Sequence, residues 1–225
     1  MAESKRIAPE GEALGILCAL DAELGSLRDY SIGQREHHGL RLWELEIHGR
    51  QVLACVGGVG KVPAARAASA LIAEGVGRAL FVVGVCGGLK RTTSPGDLVH
   101  CERAIQIDSA IRETREVLAE PEILGAWATQ TGGLTGAFLT ADRPVITPWR
   151  RLRLGRAFLG TPVADMETAA AAFVAQHSGV PWAALRAVTD GVWWGGSTAF
   201  KRHYPTQAGR AADTLPELIS GFESI

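Results

Sequence analysis

The chain lacks any stretch of about twenty consecutive apolar residues, so no helical membrane span is predicted. It is also poor in cysteine. Cys18, Cys55, Cys86 and Cys101 form no C-x-x-C pair, and each sits in or beside an apolar run. That pattern predicts buried thiols in a reducing, cytoplasmic setting and argues against a disulfide frame or a zinc site. The histidines (His37, His38, His48, His100, His177, His203) show no metal-ligand spacing. No metal and no redox cofactor are therefore expected. Lysine and arginine are interspersed with acids and the net charge is -1, so a nucleic-acid partner is not expected either. The one basic run, Arg150-Arg151-Leu152-Arg153-Leu154-Gly155-Arg156, has a helical rhythm and reads as a solvated helix face. Residues 1–12 are polar and read as a loose tail, not a signal peptide. Residues 13–225 then form one domain.

Familiar nucleotide and nucleophile motifs are missing too. Gly60-Lys61 is followed by Val62 and has no glycine five residues before it, so it is not a P-loop. Gly84-Val85-Cys86-Gly87-Gly88 lacks the G-x-G-x-x-G spacing of a dinucleotide fingerprint. G-x-S-x-G is absent. No cation or helix start is evidently placed to activate Cys86. The glycine turns still say that backbone approaches something closely, a ligand or another segment.

What is present is an alternation of short apolar runs and Ala-rich helical stretches. Residues 13–20, 79–85, 163–165 and 181–188 read as buried strands, with 97–107 longer and mixed and 135–140 strand-like. Residues 40–47 and 51–56 read as a hairpin. Helices are predicted from residue 21, over 62–74, from Thr147-Pro148, from Glu167 to His177 and over 208–222. Residues 112–133 read as a polar, partly helical surface excursion. The sum is an α/β layered domain with a mixed, largely parallel sheet.

Residues 163–191 carry the chemistry. Glu167 falls in the first turn of a helix, where free N–H groups favour a carboxylate. Asp190 emerges at the carboxyl end of a strand, where open α/β sheets place ligands. Glu23 likewise follows a buried strand. Each has an ordinary reading as a dipole-compensating or turn residue. Together, three acids at one sheet edge suit cleavage of a glycosidic bond, which needs an acid for the leaving group, a base for water and acceptors for sugar hydroxyls.

At residues 14–24 (LGILCALDAEL), 57–72 (GGVGKVPAARAASALI), 84–100 (GVCGGLKRTTSPGDLVH) and 164–190 (ADMETAAAAFVAQHSGVPWAALRAVTD) the chain resembles the purine nucleoside phosphorylase superfamily. Within it, the resemblance is to methylthioadenosine/S-adenosylhomocysteine nucleosidases. Val85, Asp142-Arg143-Pro144 and the D-M-E spelling also look like the futalosine hydrolase and hopanoid-associated phosphorylase branches. The resemblance implies a nucleoside phosphorylase-like three-layer α/β/α fold and a homodimer. It implies Glu23 as the base that activates water and Asp190 as the residue that holds the purine and protonates or hydrogen-bonds its N7. It implies Glu167 as acceptor for the ribose hydroxyls with Met166 packed on the sugar. Val85 and Gly87 would lie along the substrate, the segment Ala141 to Val145 along the base, and Phe200 near the 5′ substituent. Val82 and Val85 stand where the phosphorylases place Arg and Ser, which argues for water as acceptor. A phosphorolytic relative acting on an adenosylated lipid would instead need Arg66, Arg103 or Arg143 for its anion. A third possibility is a nucleoside-binding protein without chemistry. Trp193 and Trp194 would wall a larger 5′ group or pack at a subunit interface.

Overall fold

The computed structural model describes residues 12–111, 115–193 and 197–222. Strand β1 (Ala13–Cys18) is buried along its whole length, as its unbroken apolar run predicts. Its residues alternate between layers. Leu14, Ile16 and Cys18 join one apolar cluster and Ala13 and Leu17 another. A 3-10 segment, Asp21–Tyr30, follows, broken at Gly25 with φ 52°. It takes the place of the α-helix expected from residue 21 and turns Glu23, Leu24 and Leu27 inward. Next comes β2 (Ser31–His37), an edge strand that no apolar run announced. β3 (Leu40–Ile47) and β4 (Arg50–Val56) form the predicted hairpin.

Helix α1 (Lys61–Ala73) leads into β5 (Val76–Gly88), β6 (Leu98–Gln106) and the short β7 (Glu116–Leu118). Helix α2 (Pro121–Thr131), β8 (Leu134–Thr140), α3 (Pro148–Arg156) and β9 (Val163–Asp165) come next. The chain then runs through α4 (Thr168–His177), β10 (Trp182–Asp190), α5 (Ser197–Gln207) and α6 (Leu215–Ser220). Two expectations need correction. Residues 115–133, the described part of the stretch 112–133, are no mere excursion, because α2 drives Ile123 and the fully buried Trp127 into the core. The closing helix over 208–222 is in fact a 3-10 turn, Ala212–Thr214, and the shorter α6.

The sheet is mixed. One arm runs β2-β3-β4-β1-β5, with β1 parallel to both β4 and β5. Beyond β5 the strands close on themselves. β5 pairs β10, β10 pairs β6, β6 pairs β8, β8 pairs β9, and β9 returns to β5. Helices α1 and α4 cover one face through Ala64, Ala67, Ala169, Ala172 and their neighbours. The 3-10 segment, α2 and α6 cover the other through Leu24, Leu27, Trp127, Leu215 and Ile219. That is the expected three-layer α/β/α arrangement. Among the described residues no helix is long and apolar enough to cross a membrane.

Candidate active site

The carboxyl ends of β1, β5 and β10, the turn after β9 and the start of α3 surround one cavity of about 480 Å³. That size suits a nucleoside-sized ligand. Its lining includes Glu23, Val85, Gly87, Val145, Met166, Glu167, Asp190 and Phe200, while Ala141, Asp142 and Arg143 of the segment expected along the base do not line it. Cys86, Pro144, Asp165, Arg151 and Arg186 line it as well.

Glu23 is fixed by backbone. Its Oε2 accepts from the N–H groups of Ala19 (2.9 Å) and Leu20 (3.0 Å), and its Oε1 from Val85 (3.1 Å). Gly84, at φ 150°, makes room for it: a Cβ there would lie 2.7 Å from Oε1. Burial raises the Glu23 carboxyl above its ordinary value, against the pull of Arg186 and of these N–H donors. A raised carboxylate is a better proton acceptor near neutral pH.

Glu167 sits at the N-cap of α4, one residue before the expected first turn, and its side chain caps nothing. Asp165 does that work instead, accepting from the Thr168 N–H at 2.9 Å and from the Thr168 and Thr140 hydroxyls. Glu167 reaches across to the Gly60 N–H at 2.9 Å and to Arg186 Nη2 at 3.1 Å. Arg186, fully enclosed in β10, joins the acids: its Nε lies 3.1 Å from Asp165 Oδ2, and its Nη1 donates to the Val85 carbonyl at 3.0 Å. Burial alone would lower the Arg186 pKa, but Asp165, Glu167 and Glu23 more than offset it and raise it. Burial likewise raises Glu167, assisted by Asp165 and opposed by Arg186. Arg186 stands in the sequence with no role evident from its neighbours. The signal was there, since a cation inside the apolar run ALRAV demands buried acids.

Asp190 is held differently. Its Oδ1 accepts from the Thr189 hydroxyl at 2.9 Å, and its Oδ2 pairs with Arg151 Nη2. Arg151 is only 3% exposed. This overturns the reading of residues 150–156 as a solvated face: Arg150, Arg153 and Arg156 are exposed, but Arg151 turns inward. The guanidinium lies against Gly87, where a Cβ would meet Nη2 at 3.1 Å. Gly87 therefore contributes space for Arg151.

Other expectations fall outside the cavity. Arg66 donates to the His38 carbonyl, Arg103 pairs with Glu116 and Arg143 is exposed, and none of them lines the cavity. The Cys86 thiol is buried and pushed far up by that burial, which leaves it a poor nucleophile. Trp193 is 62% exposed with Arg91 stacked 4.6 Å from its ring, so it walls no part of the hollow. Trp194 lies outside the described residues. All four cysteines are buried and unbridged. Among the described residues, no group of His, Cys, Asp and Glu is placed to hold a metal ion.

The family model described as "Phosphorylase superfamily" matches residues 13–220. The chain belongs to the phosphorylase superfamily. A 5'-methylthioadenosine/S-adenosylhomocysteine nucleosidase of Geobacillus sp. (strain WCH70) is 26% identical, over 93% of this chain and 99% of that protein. The protein of that name from Treponema pallidum (strain Nichols) is 28% identical, over 79% and 81%. Among solved structures, futalosine hydrolase of Helicobacter pylori strain 26695 superposes with a TM-score of 0.85 at 21% identity, covering 94% of this chain and 98% of that one. A Helicobacter pylori 5'-methylthioadenosine/S-adenosyl homocysteine nucleosidase, solved with a pyrrolidine-based compound, reaches 0.86 at 21% identity, over 95% and 100%. These structural likenesses establish the phosphorylase-superfamily fold.

Proposed function

We propose that this phosphorylase-superfamily member is an N-ribosyl hydrolase that cleaves the glycosidic bond of a 5′-substituted purine nucleoside, the reaction class named for its sequence relatives. The observation that carries the reading is the convergence of Glu23, Glu167 and Asp190 on one cavity, from segments far apart in the chain. In this reading Glu23 takes a proton from water as the oxygen bonds to C1′. The bond from C1′ to the base breaks, its electron pair leaves with the purine, and Asp190 passes a proton to N7. Glu167 accepts from the ribose hydroxyls, and Met166 and Phe200 give the sugar and its 5′ group apolar contact.

Water, not phosphate, is the acceptor in this reading. An oxyanion needs free donors or cations, and the arginines that line the cavity, Arg151 and Arg186, are each paired with carboxylates, with only the enclosed Nη1 of Arg151 left over. The test is a chromatographic assay for free base released from methylthioadenosine, adenosylhomocysteine, futalosine and inosine, with and without phosphate. Release that is independent of phosphate is expected. Strict dependence on phosphate, or tight binding without release across the panel, would replace the hydrolase with a phosphorylase or a binder. Asp190→Asn should still bind nucleoside but release no purine.

A cytoplasmic homodimer completes the proposal. Val59 and Ile146 line the cavity yet stand 48% and 53% exposed, which suits a neighbouring chain closing the mouth. Sedimentation of the intact protein measures this directly, and a monomer at working concentration would remove it.

A further inference from the structure

Lys61 opens α1 directly after Gly60, whose N–H holds Glu167. Its side chain crosses to two other segments. Nζ lies 2.8 Å from Asp108 Oδ1, in the turn after β6, and 3.3 Å from Asp142 Oδ2, in the loop after β8. Asp108 uses its second oxygen to accept the Asp142 N–H at 2.9 Å. Burial alone would lower the Lys61 pKa, but Asp108 and Asp142 outweigh it and raise it, so the ammonium is matched to this pair. None of the three residues lines the cavity, yet the segments they join form its wall. Val59 lines it just before Gly60, and Pro144, Val145 and Ile146 line it just after Asp142.

We propose that Lys61 is a positioning residue for the substrate, a latch that holds the wall segment 142–146 against the cavity by joining it to the turn of residues 57–60. The inference rests on the hydrolase reading for what the cavity holds. The loop is fixed at Ala141, whose N–H is bonded to the Asp165 carbonyl at 3.1 Å, and at Val145, whose carbonyl accepts from Arg151 at 2.7 Å. Between them Asp142, Arg143 and Pro144 are exposed, and the N–H and the carboxylate of Asp142 both go to the Lys61–Asp108 pair. Two carboxylates on one ammonium make the latch sensitive to its charge. Without the cation they face each other across the space it occupied, and like charges so placed repel. The Asp142 side chain, 63% exposed against 33% for Asp108, is the one free to retreat, and the wall carrying Pro144 and Ile146 goes with it. Glu23 and its three N–H donors lie on other segments, so the loss falls on binding and not on the chemical step.

The experiment uses the full chain and the nucleosides of the release assay, methylthioadenosine, adenosylhomocysteine, futalosine and inosine. Steady-state kinetics give kcat and KM for those that are cleaved, and calorimetry gives Kd for any bound without cleavage. K61M should raise KM or Kd about 3- to 10-fold, the range for two partly exposed ion pairs, with kcat within about twofold of wild type. K61R, which keeps the charge, should restore most of the affinity. K61M/D142N should bind better than K61M alone, because the second substitution removes the repulsion. A thermal melt shows that each variant is folded. If K61M is not, D142N carries the test, since it leaves Lys61 paired with Asp108 and should raise KM about two- to threefold. Unchanged KM and Kd in a folded K61M, a loss confined to kcat, or a double variant no better than K61M overturns the proposal and leaves the hydrolase reading standing. If the wild type binds a nucleoside without cleaving it and K61M weakens that binding, the latch stands and the hydrolase reading fails. A wild type that binds none of them removes both.

Discussion

The two ends of the cavity are built on different principles. At the Glu23 end every charged group is tied down more than once: Glu23 by the N–H groups of Ala19, Leu20 and Val85, and Arg186 by Asp165, Glu167 and the Val85 carbonyl. At the Asp190 end one arginine on one helix meets one carboxylate, each with a single further tie, to the Val145 carbonyl and the Thr189 hydroxyl, and a nitrogen of that arginine is left over. The first end is organised before any ligand arrives, as electrostatic catalysis requires. The second is held by fewer bonds. The difference follows from where the groups reside. Glu23, Asp165 and Glu167 lie at or near the ends of sheet strands, whereas Arg151 rides on α3, a nine-residue helix outside the sheet.

The strongest way to break this contrast is Glu23→Gln, which removes the proposed base while preserving shape. Turnover should fall about 10²- to 10⁴-fold with nucleoside binding retained, and unchanged kcat would end the role. Arg186→Met should act on the fold itself. Removing one member of a buried charge cluster leaves Asp165 and Glu167 uncompensated, and about 3–5 kcal/mol of stability should be lost. Chemical denaturation measures it, and a loss no larger than that of a surface substitution would contradict the account of the cluster. Gly84→Ala tests whether the first end is as tightly organised as its hydrogen bonds imply. The new methyl would press on Glu23, and kcat should fall about 10²-fold with smaller change in KM, the cost of misplacing a reacting group by about an ångström.

Two pH effects sharpen the comparison. Glu23 must be ionised to take a proton, and burial holds its pKa above the ordinary 4.5. The acid limb of the kcat profile should therefore lie above that value, and a limb at or below it would contradict the burial argument. His100 lies outside the site, and burial lowers its pKa from 6.5 to about 4. The fold favours its neutral form. Its contribution to stability is thus complete above pH 6.5 and is lost as pH falls toward about 4. Melting temperatures of wild type and His100→Asn across that window should converge at the acid end. This is the smallest of the expected effects.

Much of this was legible beforehand because short apolar runs and glycine turns are local signals. The stretch from Val163 to Asp190 reads as strand, turn, helix and strand, and it folds so. Arg151 was misread because a run with arginine at four of seven positions looks solvated on every side. Gly155, four residues on and on the same helix face, was the available clue. A Cβ there would lie 2.1 Å from the Leu89 carbonyl, so this face of α3 must dock. β2 was missed because its alternate residues are only half covered and its charges pair sideways, Arg35 with Glu44 and Glu74.

The sequence by itself determined the elements, the two-sided burial of the central strands and which acids stand where strands end, since each depends on residues near one another in the chain. Tertiary structure alone decided that β5, β10, β6, β8 and β9 close into a ring and that Arg186 and Arg151 serve different carboxylates. The reason is physical. A buried charge must find its counter-charge, and the partners of these arginines are fixed by strand pairing and helix docking between segments that no local pattern connects.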